Sequence, residues 1–175
     1  MIIFLFFFEQ NSAPSHFCRR AMNYSEHKLD LFKEPATTSL AHCVSRCLKM
    51  GRGVAVEFRT RFKCVEQLKE QKTPIGGVAI LHTNTANGDE KTNRFIYYLV
   101  TKQWFYEKPT YKALQSSLEA MKAHAMKNNV KCIAMPHIGC GLDKLDWAQV
   151  KKMIQSVFDQ SSGIEIRICD LKLAQ

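Results

Sequence analysis

Apolar residues recur along this chain with two spacings, and segments of the two kinds alternate. One segment, 109–127, repeats apolar residues every three or four positions, which predicts an amphipathic helix: Leu114, Leu118, Met121 and Ala125. Short apolar or alternating runs, which predict strands, occur at 38–43, 78–81, 95–101, 131–135 and 164–168. Alternating strands and helices predict an α/β fold, here a three-layer α/β/α sandwich with a mixed central sheet.

Turn and cap residues place the remaining elements. A helix over 51–62 follows a glycine turn, and 64–70 either continues it or forms a second short helix. Asp146 suits the start of a helix that runs to Phe158, and Gly163 is expected to end it. The polar segment 83–93 separates two apolar runs, so we expect a hairpin with a long loop there.

The 175-residue length fits one domain, which we place at 22–175 after an N-terminal extension over 1–21. The first eight residues are strongly apolar but too few to span a bilayer, and no basic stretch precedes them. This extension either packs on the domain or forms a tail. We therefore predict no membrane partner, and we expect a monomer.

The net charge and the cysteine content restrict the partners and the cellular compartment that are expected for this chain. The formal net charge of +9 favours an anionic ligand or a polyanionic partner, although a solvated basic surface explains it equally well. Seven cysteines without a CxxC pair indicate free thiols in a reducing compartment. His42, Cys43 and Cys47 lack a second pair at ligand spacing, so we predict no metal site and no cofactor.

Two segments carry residues that suit chemistry on a phosphate-containing ligand. An apolar run ends on Lys102, and a glycine-rich loop after another predicted strand leads to Asp143. Ligands of α/β sheets bind outside the carboxyl ends of the strands, where both side chains are expected. A second glycine loop with Gly51 and Gly53 opens a predicted helix, and glycines let backbone N–H groups approach a phosphate. Two such loops suit a diphosphate.

The order and spacing of these motifs resemble the macrodomain family, and within it the branch of terminal ADP-ribose protein glycohydrolases. The resemblance runs from about residue 28 to residue 171. It rests on the following segments: SLAHCVS (39–45), MGRGVAV (50–56), YYLVTK (97–102), KPTY (108–111), SLEAM (117–121) and MPHIGCGLD (135–143). This branch carries a lysine and aspartate pair, and the resemblance implies a macrodomain-like three-layer fold.

The resemblance also implies an activity and a role for each site residue. Members of the branch hydrolyse mono-ADP-ribose esters of glutamate and aspartate and deacylate O-acyl-ADP-ribose. Lys102 falls on the nucleophile that forms a lysyl adduct, and Asp143 falls on the acid/base residue. The implied ADP-ribose-binding positions are Asp30, Leu31, Ser45, Met50, Gly51, Gly53, His137, Ile138, Gly139, Cys140, Gly141, Leu142 and Leu171.

Three departures and ambiguities keep alternatives open. Leu29 stands where the branch has a glycine before the adenine-binding aspartate, and a left-handed backbone there would strain a leucine. His137 stands where the branch has an arginine. The aromatic residues 104–106 fit either stacking on a base or a surface cluster. Leu29 and His137 keep open a reader module that binds ADP-ribose without turnover, and the net charge of +9 keeps open a basic nucleic-acid-binding protein.

The resemblance also names the partners. It implies ADP-ribose and ADP-ribosylated proteins, with ADP-ribosylated nucleic acid as a further candidate. Together with the free thiols, it predicts a location in the nucleus and cytoplasm. A lysine of ordinary pKa, about 10.4, is almost wholly charged at neutral pH. A nucleophilic Lys102 therefore needs partial burial or a neighbouring positive charge to lower its pKa.

Overall fold

The computed structural model describes residues 24–87 and 90–170, and it describes side chains over these ranges except for 85–87 and 90–93. The strands are β1 (Tyr24–His27), β2 (Ser39–Ser45), β3 (Val78–Asn87), β4 (Glu90–Lys102), β5 (Cys132–Met135) and β6 (Glu165–Cys169). The α-helices are α1 (Val54–Phe62), α2 (Val65–Glu70), α3 (Tyr111–Lys127) and α4 (Trp147–Val157). Short 3-10 helices lie at Leu31–Lys33 and Gln160–Ser162.

The described strands form one mixed sheet in the order β1-β6-β5-β2-β4-β3. Every neighbouring pair is parallel except β3 and β4, which are antiparallel. The carboxyl ends of β1, β6, β5, β2 and β4 therefore share one edge of the sheet. This arrangement confirms the predicted mixed sheet and places the ends of the predicted site strands side by side.

Helices cover both faces of the sheet, which confirms the three-layer sandwich. Alternate residues of β4 point to opposite layers, as the two-residue period of a strand requires. Tyr97 and Leu99 pack with α3 and α4, whereas Ile96, Tyr98 and Val100 pack with α1 and α2. Because both faces are covered, β5 and residues 95–100 of β4 are apolar throughout, whereas β6 shows a period-two alternation.

Helix α3 confirms the helical spacing read from the sequence. Its four predicted apolar positions are fully buried: Leu114, Leu118, Met121 and Ala125. The Thr110 hydroxyl caps the helix by accepting a hydrogen bond from the Ala113 amide at 3.1 Å, so the helix begins just after Pro109. Asp146 likewise caps α4, accepting from the amides of Ala148 and Gln149.

Several predicted boundaries are wrong. The hairpin has no long loop, because β3 runs to Asn87, β4 starts at Glu90, and these two residues pair. Residues 83–93 are mostly polar, so the apolar pattern that predicts a strand is absent from this part of β3 and β4. A hairpin that projects beyond the sheet need not be apolar. Helix α1 begins at Val54 rather than at residue 51, with Gly53 as its N-cap. Helix α4 ends at Val157, and a 3-10 helix intervenes before Gly163.

The outer strand β3 has its exposed edge partly covered by a side chain. The Gln71 amide group donates to the Ile80 carbonyl at 2.7 Å and accepts from the Ile80 amide at 2.9 Å. The glutamine side chain thus occupies the place that a neighbouring strand would take. Covering an edge in this way disfavours strand pairing with another molecule.

Candidate active site

The site lies at the sheet edge formed by the carboxyl ends of the parallel strands. In the sheet order, β2 lies between β5 and β4, so the segments that follow these strands emerge next to one another. The 46–53 loop follows β2, Lys102 ends β4, and the 136–143 loop follows β5. The structure therefore brings together the two glycine loops and the lysine that the sequence analysis singled out.

Lys102 owes its position to an irregularity in the pairing of β2 with β4. The register shifts between Val44 and Ser45, so Ser45 pairs with Lys102. The pairing continues as the Arg46 amide donates to the Lys102 carbonyl at 2.8 Å. A bulge turns the local strand and redirects its side chains. Ser45 and Lys102 consequently lie side by side at the end of the sheet.

Asp143 forms an ion pair with Lys102 through Oδ1 and Nζ. The two side chains are only 16% and 11% exposed, so both charged groups are largely withdrawn from water. The amine and the carboxylate are in direct contact, which is the geometry that transfer of a proton between them requires. Asp143 is thus placed to take the proton that a nucleophilic lysine must lose.

The loop that carries Asp143 is held by a buried residue and a left-handed glycine. Ile138 is buried, and Gly139 has a φ of 71°. The Leu145 amide donates to the Gly139 carbonyl at 2.9 Å and closes the loop. A Cβ on Gly139 would lie 2.9 Å from Leu145 Cδ1, whereas one on Gly141 would meet nothing within 4 Å. The backbone at Gly141 is therefore open to a ligand.

The 46–53 loop faces the 136–143 loop. Gly53 adopts a φ of 60° at the start of α1, and a Cβ placed on it would lie 3.9 Å from Leu142 Cδ1. Leu142 itself is 66% exposed. Met50 is buried with a left-handed φ of 41°, which turns the chain toward Gly51 and the helix. The two glycine loops therefore approach each other at Gly53 and Leu142, and Leu142 directly precedes Asp143, the partner of Lys102.

The predicted adenine-side residues lie in the turn after β1. The Asp30 carboxylate accepts a hydrogen bond from the Phe32 amide at 3.0 Å and caps the Leu31–Lys33 helix, and Leu31 is buried. Asp30 therefore shapes its own turn as well as facing the sheet edge. The expected strain at Leu29 does not occur, because Leu29 is not among the residues with left-handed backbone.

His137 pairs with a residue that the sequence analysis missed. Its Nδ1 lies 3.1 Å from Asp170 Oδ2, and its ring packs on Trp147 with 4.1 Å between centroids. His137 thus joins the β5 loop to the end of β6. Asp170 directly follows β6, at the same edge of the sheet where Lys102 ends β4 and where the loop with Asp143 leaves β5. A polar residue directly after a predicted strand was the sequence signal for Asp170. Leu171 lies outside the described residues, as does the N-terminal extension.

The cysteines near the pair are neutral thiols. Burial raises the pKa of Cys43 well above its ordinary value, and it raises the pKa of Cys140 to about 11. The Cys140 thiol donates to the Ile138 carbonyl at 3.2 Å. A catalytic thiol is therefore not supported at Cys140. Among the described residues, no group of three His, Cys, Asp or Glu side chains is arranged to hold a metal ion.

The described helices offer no membrane span, because none combines the necessary length and apolar character. The described cysteines, six in number, are all free thiols. These two findings concern the described part of the chain alone.

Comparison with known proteins returns relatives along most of the chain. A family model described as the macro domain matches residues 41–154. The chain is 46% identical over 144 residues to a human protein named ADP-ribose glycohydrolase OARD1, covering 82% of this chain and 89% of that protein. The macrodomain of Mycobacterium tuberculosis DarG superposes with a TM-score of 0.72 at 22% identity, covering 83% of this chain and 96% of that one.

A second solved structure contains a ligand. Thermosipho africanus DarTG in complex with ADP-ribose has a TM-score of 0.74 to this chain at 20% identity. The superposition covers 88% of this chain and 43% of that one. At these identities the two structural likenesses establish the fold alone.

Proposed function

This chain belongs to the macrodomain family, and from that premise we propose that it hydrolyses ADP-ribosyl esters. The substrates are mono-ADP-ribose on glutamate or aspartate of proteins, and O-acyl-ADP-ribose. The observation that supports this most strongly is the largely buried Lys102–Asp143 ion pair beside two facing glycine loops. The hydrolase name of the 46% identical human relative supports the same reaction class.

The glycine loops and the Asp30 turn bind different parts of ADP-ribose. We assign the diphosphate to the region between the 46–53 and 136–143 loops, where the backbone at Gly141 has open space beside it. We assign the adenosine to the side of Asp30 and Leu31, and the family resemblance adds Leu171 as a further contact. The distal ribose then lies at Lys102, with its anomeric carbon, C1″, toward the amine. ADP-ribose bound in this order spans the sheet edge from β1 to β4.

The reaction proceeds in two displacements. Asp143 takes a proton from Lys102, and the free amine attacks C1″ while the bond from C1″ to the ester oxygen breaks. Asp143 gives that proton to the leaving carboxylate and, ionised again, takes the second proton from the nitrogen as the neutral lysyl adduct forms. In the second displacement Asp143 returns this proton to the nitrogen and then takes one from water, whose oxygen attacks C1″ as the bond from C1″ to nitrogen breaks. Asp143 finally gives its proton to the released amine, which restores the charged Lys102, and ADP-ribose leaves.

The experiment is to trap the adduct. The protein is incubated with ADP-ribose and cyanoborohydride, and the modified residue is identified by peptide mass mapping. We expect one ADP-ribose per chain on Lys102. We expect Lys102→Ala to abolish the adduct and to lower ester turnover by at least about 100-fold. Asp143→Asn should slow turnover by about 100-fold or more, since it removes the proton acceptor.

Lys108→Ala is the matched control, because this exposed lysine lies six residues further along the same segment. It should react and turn over like the wild type. Full turnover by Lys102→Ala would disprove the lysine mechanism. Calorimetric binding of ADP-ribose without adduct or turnover would identify a reader module instead.

We further propose that the protein acts as a monomer in the nucleus and cytoplasm. The edge of β3 covered by Gln71 supports the first point, and the free thiols support a reducing compartment. ADP-ribosylated nucleic acid remains a second candidate substrate, which the net charge of +9 favours.

A further inference from the structure

A groove next to the candidate active site shares part of the 46–53 loop with it, but its lining includes neither Lys102 nor any residue of the 136–143 loop. It has a volume of about 440 Å³ and is open to solvent. Its wall includes Trp104 and Phe105, which follow Lys102 in the chain and are 45% and 46% exposed. Leu48 and Val65 contribute apolar surface to the same groove. Half-exposed aromatic residues beside a reacting group need a functional explanation.

Three cations line this groove and come from different elements. Lys49 lies in the loop after β2, Arg59 in α1 and Lys69 in α2. No described residue that lines the groove is acidic. Lys69 pairs with Glu66 at 2.9 Å, but that pair is half exposed or more on both sides, so another carboxylate can replace Glu66 at little cost. The groove therefore complements an anionic partner.

The sheet order places this groove on the acceptor side of the proposed substrate. The Asp30 turn follows β1 at one end of the sheet, and Lys102 follows β4 near the other end. ADP-ribose that extends from Asp30 to Lys102 directs its leaving group past Lys102, away from the adenine side. The groove is built from the segments after β2 and β4 and from α1 and α2, which is where that leaving group emerges.

Contacts within the protein hold the aromatic wall of the groove, Trp104 and Phe105, in place without a bound partner. The Glu107 carboxylate accepts hydrogen bonds from the backbone amides of Gln103 and Trp104, both at 3.0 Å. Lys49 Nζ lies 3.9 Å from the centroid of the Phe105 ring and covers one of its faces. An ordered wall costs little conformational entropy on binding. Because Lys49 covers one face of the Phe105 ring, stacking of a nucleobase on that face is disfavoured. Contact of the ring with a side chain of a peptide is still possible.

We propose that this groove, lined by Lys49, Arg59, Lys69, Trp104 and Phe105, binds an acidic peptide segment next to the modified glutamate or aspartate of a protein substrate. The proposal rests on the proposed function and adds an acceptor preference to it. Carboxylates of the peptide pair with the three cations, and its aliphatic groups contact Trp104. The concave grouping of the cations suits a short segment better than a nucleic-acid strand, which needs a continuous basic track.

The first test compares two ester-linked mono-ADP-ribosyl peptides that differ only in their flanking residues. One has glutamates around the modified glutamate and the other has glutamines. At low salt, we expect kcat/KM to be about 3- to 10-fold higher for the glutamate-flanked peptide, as a few exposed ion pairs provide. Lys69→Glu should abolish that preference, and Trp104→Ala should lower kcat/KM for both peptides. Equal rates on the two peptides would overturn the proposal.

Lys152→Glu is the matched control, because it makes the same charge change at an exposed lysine of α4, in the opposite helix layer. It should keep the preference for acidic flanks. Loss of the preference in both variants would mean that overall charge is responsible, and the groove would be excluded. Hydrolysis of O-acetyl-ADP-ribose, which has no peptide, should be the same in wild type, Lys69→Glu and Lys152→Glu.

A second test needs no turnover and uses the Cys47 thiol, which also lines the groove. Burial opposes ionisation of this thiol, but hydrogen bonds from the Ser45 hydroxyl and from backbone amides, including those of Lys49 and Phe105, hold its pKa below the ordinary value. Cys47 is therefore expected to react readily with iodoacetamide. An unmodified glutamate-rich peptide should slow its alkylation, measured by mass mapping, more than the glutamine version.

The two tests separate failure of the groove proposal from failure of the proposed function. If wild type does not hydrolyse O-acetyl-ADP-ribose, the proposed function fails, and protection of Cys47 still decides whether the groove binds acidic peptide. If hydrolysis occurs but the acidic peptide gives neither preference nor protection, the groove proposal alone fails. Protection of Cys47 by oligothymidylate and not by the acidic peptide would overturn it in favour of a nucleic-acid strand.

Discussion

At the scale of single residues, this protein buries several polar side chains, but they differ in whether they have partners. Lys102 and Asp143 neutralise each other in a largely buried pair. His42 is fully buried on β2, and neither of its ring nitrogens has a hydrogen-bond partner within the described structure. Its ring instead stacks on Phe58 at 3.8 Å and meets the edge of Tyr98. His42 therefore serves packing, and its charge state affects stability.

We predict that His42 destabilises the protein as the pH falls. Burial lowers its pKa to about 3, compared with about 6.5 in an unfolded chain. Below pH 6.5 the unfolded state therefore binds a proton that the folded state does not bind, and stability present above pH 6.5 is lost. Between pH 7 and pH 5 this loss is about 2 kcal/mol.

His42→Phe keeps the ring and removes the titration. Urea unfolding at several pH values should show the variant gaining about 2 kcal/mol relative to wild type between pH 7 and pH 5. A difference between the two proteins that does not change with pH would show that His42 becomes protonated in the folded state or that the core opens to water.

At the scale of elements, the loops after the strands position the site more than the strands do. The 136–143 loop begins at the end of β5 and returns to α4 through a left-handed glycine and a capping aspartate. Each feature has a local sequence signal. No local sequence signal shows that this loop faces the 46–53 loop, because the two loops are brought together only by the pairing of β5 with β2.

We predict that Gly139→Ala destabilises the loop and that Gly141→Ala does not. At a φ of 71° an alanine is strained, and its Cβ would meet Leu145 at 2.9 Å, so we expect a cost of about 1–2 kcal/mol. Gly141 has open space and no left-handed backbone, so its alanine variant should lie within about 0.5 kcal/mol of wild type. Chemical denaturation compares them, and equal costs would contradict the assigned loop geometry.

At the scale of the whole molecule, an ion pair between residues far apart in the sequence joins the segment after β1 to β6. The Glu34 side chain is only 2% exposed, and it accepts a hydrogen bond from Arg167 of β6 at 3.0 Å. Glu34 directly follows the Leu31–Lys33 helix, so this contact fixes the Asp30 turn on the sheet edge. Glu165 pairs with the same arginine but is 41% exposed.

We predict that Glu34→Ala costs about 2–3 kcal/mol in the free energy of unfolding, because it leaves a partly buried guanidinium with fewer partners. Glu165→Ala, the matched control on the same arginine, should cost less than about 1 kcal/mol. Calorimetry should also show weaker ADP-ribose binding by the Glu34 variant, since the adenine-side turn loses its anchor. Equal losses of stability in the two variants would refute a specific role for Glu34.

The sequence by itself determined the helices, the central strands and the positions of Lys102 and Asp143 at the ends of their segments. The three- or four-residue period of α3, the apolar run before Lys102 and the glycines before Asp143 are local signals, because helix period, strand burial and turn geometry act over a few residues. It failed at the outer part of the hairpin, where polar residues over 83–93 form strands that no core requires to be apolar.

Only the tertiary structure decided which of these segments meet. The pairing of His137 with Asp170, the anchoring of Glu34 on Arg167 and the groove between Lys49, Lys69 and Trp104 all join residues far apart in the chain. Local patterns carry no information about such contacts, since they depend on the order and direction of strands in the sheet. The two residues that we propose to react, Lys102 and Asp143, could therefore be predicted from the sequence, whereas the surface that we propose to select a protein substrate could not.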